Sequence, residues 1–165
     1  MHLVTTKRNI RNTLMKDITY NDTRHKATRV FLDTNILLDY LSFRSEEALA
    51  VEYLVDMCIR GTIECCIAAH SLTDLFYIIR KDYTESDRNQ IILTMCDVCH
   101  VQEISRDTIK QAIAAGYSRD LENALQMQCA VDSHADFLLT RDRNGFDKSP
   151  VKVLLPHELI HELKL

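Results

Sequence analysis

Apolar residues follow two alternating patterns along the chain. Short apolar runs typical of buried strands are separated by longer segments in which apolar residues recur at helical spacing. The predicted strands cover residues 30–32, 62–68, 101–104, 136–140 and 151–155. The predicted helices cover about residues 35–41, 46–60, 71–81, 85–97, 106–115, 119–134 and 156–163. Strands that alternate with helices in this way predict an α/β fold with a mainly parallel sheet.

Residues typical of helix ends support these boundaries. Thr84 and Asp87 resemble a capping box, Gly61 is suited to a helix end, and Pro156 is suited to a first helical turn. We also expect caps at Ser45, Ser71 and Ser105, with Glu46 and Glu47 in the first turn after Ser45, where the helix dipole favours acidic side chains.

Composition is that of one globular domain. The chain has 165 residues, 46% hydrophobic and 27% charged, with only three glycines and two prolines. We expect no membrane span and no secretory signal, because no apolar run reaches about 18 residues and the N-terminal residues lack the apolar core of such a signal. We expect the six cysteines, among them Cys58 and Cys129 at helical spacing, to be free buried thiols of a cytoplasmic protein.

Charge is distributed unevenly. Residues 1–29 contain seven Lys and Arg against two Asp, a net +5, and the rest carries 13 − 22, or −9. Residues 1–28 are therefore predicted to be a basic arm that is either mobile or docked on a partner, and an ordinary solvated tail has the same composition.

Four acidic positions follow predicted strands or begin predicted helices. Asp33 and Asp142 each follow a strand, and Asp74 and either Asp120 or Glu122 lie at helix starts. These positions share one edge of a parallel sheet, so the side chains can converge there. Crowded carboxylates oppose one another's ionisation, and a divalent cation with oxygen ligands, Mg²⁺ or Mn²⁺, relieves this. The competing interpretation is that Asp33 or Thr34 only caps a helix.

Four sequence blocks, in order, resemble the PIN domain, a metal-dependent ribonuclease fold, and most closely its bacterial toxin-type branch. They are Val-Phe-Leu-Asp33-Thr-Asn-Ile-Leu-Leu-Asp, Ala-His-Ser-Leu-Thr-Asp74-Leu-Phe-Tyr-Ile-Ile-Arg, Asp120-Leu-Glu122-Asn-Ala-Leu-Gln-Met-Gln-Cys-Ala and Ala-Asp-Phe-Leu-Leu-Thr140-Arg-Asp142-Arg-Asn-Gly-Phe146. The resemblance implies that residues 29–165 form a PIN-like, three-layer α/β/α domain around a sheet of about four or five strands.

The resemblance also implies a site. Asp33 matches the first metal-binding aspartate, Asn35 its companion, and Asp74 stands where the family commonly has Glu. Asp142 matches the Asn or Asp after Thr-Arg, and Thr140 would hold the loop or a ligand water.

Two positions depart from the family pattern. Asn123 replaces an acid that often binds metal, and Gly145 replaces a later Asp. Asn123 can ligate through its carbonyl oxygen but carries no charge. Either Glu122 or Asp120 compensates for it, or the site binds metal weakly.

The expected function is Mg²⁺- or Mn²⁺-dependent hydrolysis of RNA by Asp33, Asp74, Glu122 and Asp142. The resemblance implies a homodimer and a protein antitoxin. Arg80, Lys81, Arg141 and Arg143 are candidate RNA contacts. The alternative is a catalytically impaired PIN-like protein that binds nucleic acid or another protein.

Other motifs in the chain are assigned no function. Residues 157–161 match the zinc-protease pattern H-E-x-x-H, but only four residues follow to supply a third ligand. Cys96 and Cys99 form a single CxxC at the end of a helix, where neither zinc binding nor redox chemistry is expected. His70 and His134 are predicted to be helix-end or surface residues.

Overall fold

A computed structural model describes residues 27–42 and 46–165, and a five-stranded sheet lies at its centre. The strands are β1 (Thr28–Leu32), β2 (Ile63–Ala68), β3 (His100–Gln102), β4 (Phe137–Leu139) and β5 (Lys152–Leu154). Their order is β3-β2-β1-β4-β5, and every neighbouring pair is parallel. The predicted parallel α/β sheet is therefore confirmed.

Seven helices and one short 3₁₀ turn accompany the strands in the described residues. The helices are α1 (Thr34–Ser42), α2 (Ala48–Ile59), α3 (Ala69–Ile78), α4 (Glu85–Val98), α5 (Arg106–Ala115), α6 (Leu121–Asp132) and α7 (Pro156–Leu163). The 3₁₀ turn, Ile79–Lys81, follows α3 directly.

The sheet separates two apolar layers because successive strand side chains point to opposite faces. Val30, Cys65 and Leu139 lie in the larger layer, which also contains buried residues of α1–α4 and α7. Phe31, Cys66 and Leu138 lie in the smaller layer with Met127, Cys129 and Ala130 of α6. This arrangement confirms the three-layer α/β/α fold.

Several predicted helix ends are confirmed. The Thr84 hydroxyl accepts from the Asp87 N–H in a capping box, Ser105 caps α5, and Pro156 begins α7. Gly61 follows α2 with a φ of 71°, a left-handed conformation that glycine adopts without steric cost.

Two predicted caps are wrong or untested. Glu46 and Glu47 form a turn before α2, so they are not in its first turn, and Ser45 lies outside the described residues. Ser71 is a fully buried residue inside α3, whose N-cap is Ala68.

The cysteines differ in part from the prediction. Cys66, Cys96, Cys99 and Cys129 are free, and Cys65 and Cys66 lie in opposite layers. Cys58 and Cys65, however, are joined by a disulfide, with their Cα atoms 5.9 Å apart. The expectation of six free thiols is therefore wrong. The turn at Gly61 returns the chain from α2 to β2, so that both sulfur atoms face one another in the larger layer.

The predicted basic arm lies almost entirely outside the described residues, which begin at Ala27. Thr28, assigned to the arm, already belongs to β1. Arg29 is structural: its guanidinium donates to the Glu64 carboxylate at 2.8 Å and to the Ser133 carbonyl at 2.6 Å. Among the described residues, no helix is long and apolar enough to cross a membrane.

Candidate metal centre

The candidate site lies at the point where the strand order reverses. From β1 the chain proceeds to β2 and β3 on one side of the sheet, and then returns to β4 on the other side of β1. The Asp33 N–H donates to the Leu139 carbonyl at 3.0 Å, which ties the carboxyl ends of β1 and β4 together. Open α/β sheets bind ligands in the crevice at such a switch point.

Asp33 is a buried carboxylate at this point, only 1% exposed. Its Oδ2 accepts from the Thr140 hydroxyl at 2.7 Å and from Asn35 Nδ2 at 3.2 Å. Its Oδ1 accepts from the Asn35 N–H at 3.4 Å, a long bond in the position of a helix cap. Capping is thus the weaker of its two sets of contacts, and Asn35 lies beside Asp33 as the resemblance implied.

Thr140 joins the first and fourth sequence blocks. Its hydroxyl donates to Asp33 and accepts from the Asp142 N–H at 2.9 Å, and the residue is fully buried. The Asp142 carboxylate in turn accepts from the Gly145 N–H at 2.9 Å. Thr140 thus links Asp33 to the backbone of the loop after β4.

A network of buried polar side chains lies next to the site. The Thr34 hydroxyl donates to Ser71 Oγ at 2.9 Å, and the Thr34 N–H donates to Gln126 Oε1 at 3.2 Å. Gln126 Nε2 lies 3.5 Å from Glu122 Oε1, at the limit of a hydrogen bond. These contacts hold the starts of α1, α3 and α6 against one another.

Three potential metal ligands lie close together near this network. His70 and Asp74 of α3 and Glu122 of α6 each offer a ligand atom, and these atoms lie within 4.8 Å of one another. Burial, and then the charges of Asp74, Asp120 and Asp33, raise the pKa of the Glu122 carboxyl above its usual value. Two carboxylates and an imidazole in this proximity suit a divalent cation, which would relieve their repulsion.

His70 is the residue of this group that we expected at a helix end or on the surface. It does lie in the first turn of α3, but both ring nitrogens are buried and have no hydrogen-bond partner among the described residues. Burial lowers the pKa of the imidazole, and the nearby carboxylates of Asp74 and Asp33 oppose that shift. A neutral imidazole is the form that binds metals.

Asn123 and Asp142 meet at Gly145. A Cβ atom at Gly145 would overlap Asp142 Oδ2 and lie 2.5 Å from Asn123 Nδ2. The space in which a longer residue would begin is therefore already filled by these two side chains. A larger residue at position 145 would therefore require both side chains to move.

Asp120, a reserve ligand in the sequence prediction, caps α6. Its carboxylate accepts from the Asn123 N–H at 3.2 Å, and the residue is exposed. The Asp120 charge contributes to the raised pKa of Glu122, but Asp120 is not one of the three grouped ligands.

The four candidate RNA contacts are exposed, but three of them have partners on the protein. Arg80 stacks on the Tyr77 ring at 3.7 Å, Arg141 pairs with the buried Asp39 at 2.7 Å, and Arg143 pairs with Glu158. Lys81 is exposed at the end of the 3₁₀ turn.

The two motifs assigned no function have structural explanations. His157 of H-E-x-x-H contacts the Glu47 carboxylate through its N–H and its Nδ1, at 3.1 and 2.6 Å. Cys96 is exposed and Cys99 is buried, at the end of α4.

Fold and site together define an α/β protein with a cluster of acidic side chains and a histidine at its switch point. A family model described as "PIN domain" matches residues 29–144, which is more than half of the chain. The chain therefore belongs to the PIN-domain family. No curated protein sequence matches it.

Solved structures with the same fold come from toxin–antitoxin systems and their relatives. VapBC2 from Rickettsia felis, bound to a promoter DNA fragment, has a TM-score of 0.58 at 14% identity, over 78% of this chain and 98% of its own. A toxin–antitoxin complex from Klebsiella pneumoniae has a TM-score of 0.58 at 20% identity, over 77% of this chain and 97% of its own. VapC20 from Mycobacterium tuberculosis, a toxin that cleaves the sarcin–ricin loop, has a TM-score of 0.52 at 10% identity, over 66% of this chain and 86% of its own. The toxin-type resemblance is confirmed for the fold.

Sequence reasoning missed four residues of the site: His70 as a potential ligand, and Thr34, Ser71 and Gln126 as its support. A local signal existed only for His70, which precedes Asp74 by four residues and so shares its helix face. The hydrogen bonds among the other three join distant segments, and no local pattern predicts them.

Proposed function

We propose that this protein is a divalent-metal-dependent endoribonuclease of the PIN family, the toxin of a toxin–antitoxin pair acting in the cytoplasm. The carrying observation is the grouping of Asp74 and Glu122, with His70, beside Asp33 at the switch point of the sheet, where the Asp33 charge contributes to the raised pKa of Glu122. PIN-family membership and the toxin–antitoxin complexes with the same fold support the proposal.

In this proposal Asp33, Asp74, Glu122 and Asp142 hold Mg²⁺ or Mn²⁺, with Asn123 and Asp120 at the margin. A bound divalent cation lowers the pKa of water and neutralises developing charge on a phosphodiester. Asn35 and Thr140 orient the Asp33 carboxylate through their hydrogen bonds to Oδ2. Thr140 also holds the backbone of Asp142, so the two acids keep a constant relative position.

The partners belong to the same proposal. RNA approaches the acidic site with help from the exposed Arg80 and Lys81 and from the basic segment 1–28. Arg141 and Arg143 contribute less, because Asp39 and Glu158 already neutralise them. A protein antitoxin covers the site, and the toxin forms a homodimer, which native mass spectrometry of the purified chain would detect.

The decisive experiment compares RNA cleavage by wild type and Asp33→Asn in Mg²⁺ and in Mn²⁺. Loss of the charge at Asp33 should lower cleavage by about 100-fold or more, since ligands and their supports affect metal sites on this scale. Asp97→Asn is the matched control, because Asp97 is exposed on α4, far along the chain from the site. Equal cleavage by all three proteins would identify a contaminant or another site.

A second candidate function rests on Asn123 and Gly145. Both lack the acid that the resemblance predicts, and a Cβ atom at residue 145 would require the Asp142 and Asn123 side chains to move. The second candidate is a PIN-like protein that binds nucleic acid or a protein without cleaving. RNA binding by wild type with no cleavage in either metal would favour it.

A further inference from the structure

His70 is placed where a ligand is expected, although we assigned it no function from the sequence. It follows β2 directly and lies in the first turn of α3, with Asp74 one helical turn later. Residues four apart share a helix face, so the imidazole and the Asp74 carboxylate extend side by side. Glu122 approaches from α6, and the three ligand atoms lie within 4.8 Å of one another.

The environment of His70 is unusual for a structural histidine. Both ring nitrogens are shielded from solvent, and neither has a hydrogen-bond partner among the described residues. Buried polar atoms nearly always have partners, because an unsatisfied one costs about 1–3 kcal/mol. Two unsatisfied nitrogens next to two carboxylates therefore indicate that a group is missing from the arrangement. A cation satisfies a ring nitrogen and both carboxylates at once.

We propose that His70 supplies a nitrogen ligand to the metal, in a His70–Asp74–Glu122 set that favours a first-row transition ion such as Mn²⁺ over Mg²⁺. This inference rests on the metal site of the proposed function. Mg²⁺ selects oxygen ligands and retains its waters, whereas affinity for nitrogen ligands rises along the transition series. One imidazole therefore changes the preference of an otherwise all-oxygen site.

The direct test is the electron spin-echo envelope modulation of Mn²⁺ bound to the full-length protein. Wild type should show coupling to a directly bound nitrogen, and labelling the protein with ¹⁵N-histidine should convert it to the ¹⁵N pattern. This measurement uses the wild-type protein, so it does not depend on the folding of a variant. Bound Mn²⁺ without nitrogen coupling would overturn the assignment of His70 but not the metal site.

Substitution then identifies the histidine. His70→Gln should abolish the nitrogen coupling and weaken Mn²⁺ binding at least about 10-fold, while Mg²⁺ binding changes much less. His100→Gln is the matched control, because His100 is exposed on β3. Nitrogen coupling that persists in His70→Gln would overturn the proposal. Failure of wild type to bind Mn²⁺ at all would overturn both this inference and the proposed metal-dependent function.

Discussion

At the scale of single residues, the acid that is absent matters as much as those that are present. Asp33 has three hydrogen bonds on its two oxygens and lies at the junction of β1 and β4. Asn123 lies beside the Asp142 carboxylate in the space next to Gly145, but it is uncharged. The charge available to a cation in that part of the site therefore depends on Asp142.

Asn123→Asp should strengthen the site. A second carboxylate beside Asp142 raises the ligand charge, which should tighten Mg²⁺ binding about 10-fold and increase RNA cleavage at low metal concentration. In the absence of metal, repulsion between the two acids should lower the melting temperature. Isothermal titration and thermal denaturation measure these effects.

The control for this change is Asn89→Asp, which makes the same charge change at an exposed position of α4. It should alter neither metal affinity nor cleavage. Metal affinity that is unchanged in Asn123→Asp would mean that residue 123 does not limit the site.

At the scale of elements, one ion pair attaches the loop after β4 to α1. Arg141 Nε lies 2.7 Å from Asp39 Oδ2, close enough for an ion pair although not aligned as a hydrogen bond. The Asp39 side chain is only 2% exposed, whereas Arg141 is 41% exposed. Removing the arginine would leave a buried carboxylate without its counter-ion.

Arg141→Ala should therefore lower the free energy of unfolding by about 2 kcal/mol, toward the lower end for buried pairs because Arg141 is partly hydrated. The neighbouring Arg143→Ala breaks an exposed pair with Glu158 and should cost less than about 1 kcal/mol. Urea denaturation of both variants provides the measurement. Similar losses would show that burial of Asp39 has no energetic consequence.

At the scale of the whole molecule, burial separates the cysteines into classes. Cys96 is exposed, whereas burial raises the pKa of Cys66 to about 11 and the pKa values of Cys99 and Cys129 to about 12. Raised pKa values keep these thiols protonated and unreactive at pH 8.

Iodoacetamide at pH 8 should accordingly label native protein once, at Cys96. Denatured protein should acquire four labels without reductant and six after reduction, because Cys58 and Cys65 are joined. Mass spectrometry counts the labels. Six labels without reductant, in protein purified without reducing agents, would contradict the pairing.

Residues 1–28 carry six Lys and Arg against two Asp, a net +4, once Arg29 is assigned to its structural contacts. Their deletion should lower the slope of log affinity for single-stranded RNA against log salt by about 0.7 for each phosphate that the protein no longer neutralises, and by about 3 in total if four phosphates are involved. Lys110→Ala, an exposed change on α5, should leave the slope nearly unchanged. An unchanged slope after deletion would exclude the segment from RNA binding.

What the sequence determined by itself is local. Apolar periodicity predicted the strands and helices, and the Thr84–Asp87 and Ser105 caps were recognisable because each is decided by residues within one turn. The placement of Asp33 after a strand and of Glu122 at a helix start was predictable for the same reason. The predicted placement of Asp74 at a helix start is wrong, because α3 begins at Ala69 and Asp74 lies in its second turn. Boundaries shifted by a few residues where capping groups compete, as before α2.

Only the tertiary structure decided how these segments meet. The placement of β4 beside β1 brings the Thr140 hydroxyl to Asp33, 107 residues away along the chain. The approach of α6 to α3 places Glu122 near His70 and Asp74. Asn123 of α6 and Asp142 of the loop after β4 occupy the space beside Gly145, and the return of α2 into β2 pairs Cys58 with Cys65. These contacts depend on strand order and interior packing, which no local pattern specifies.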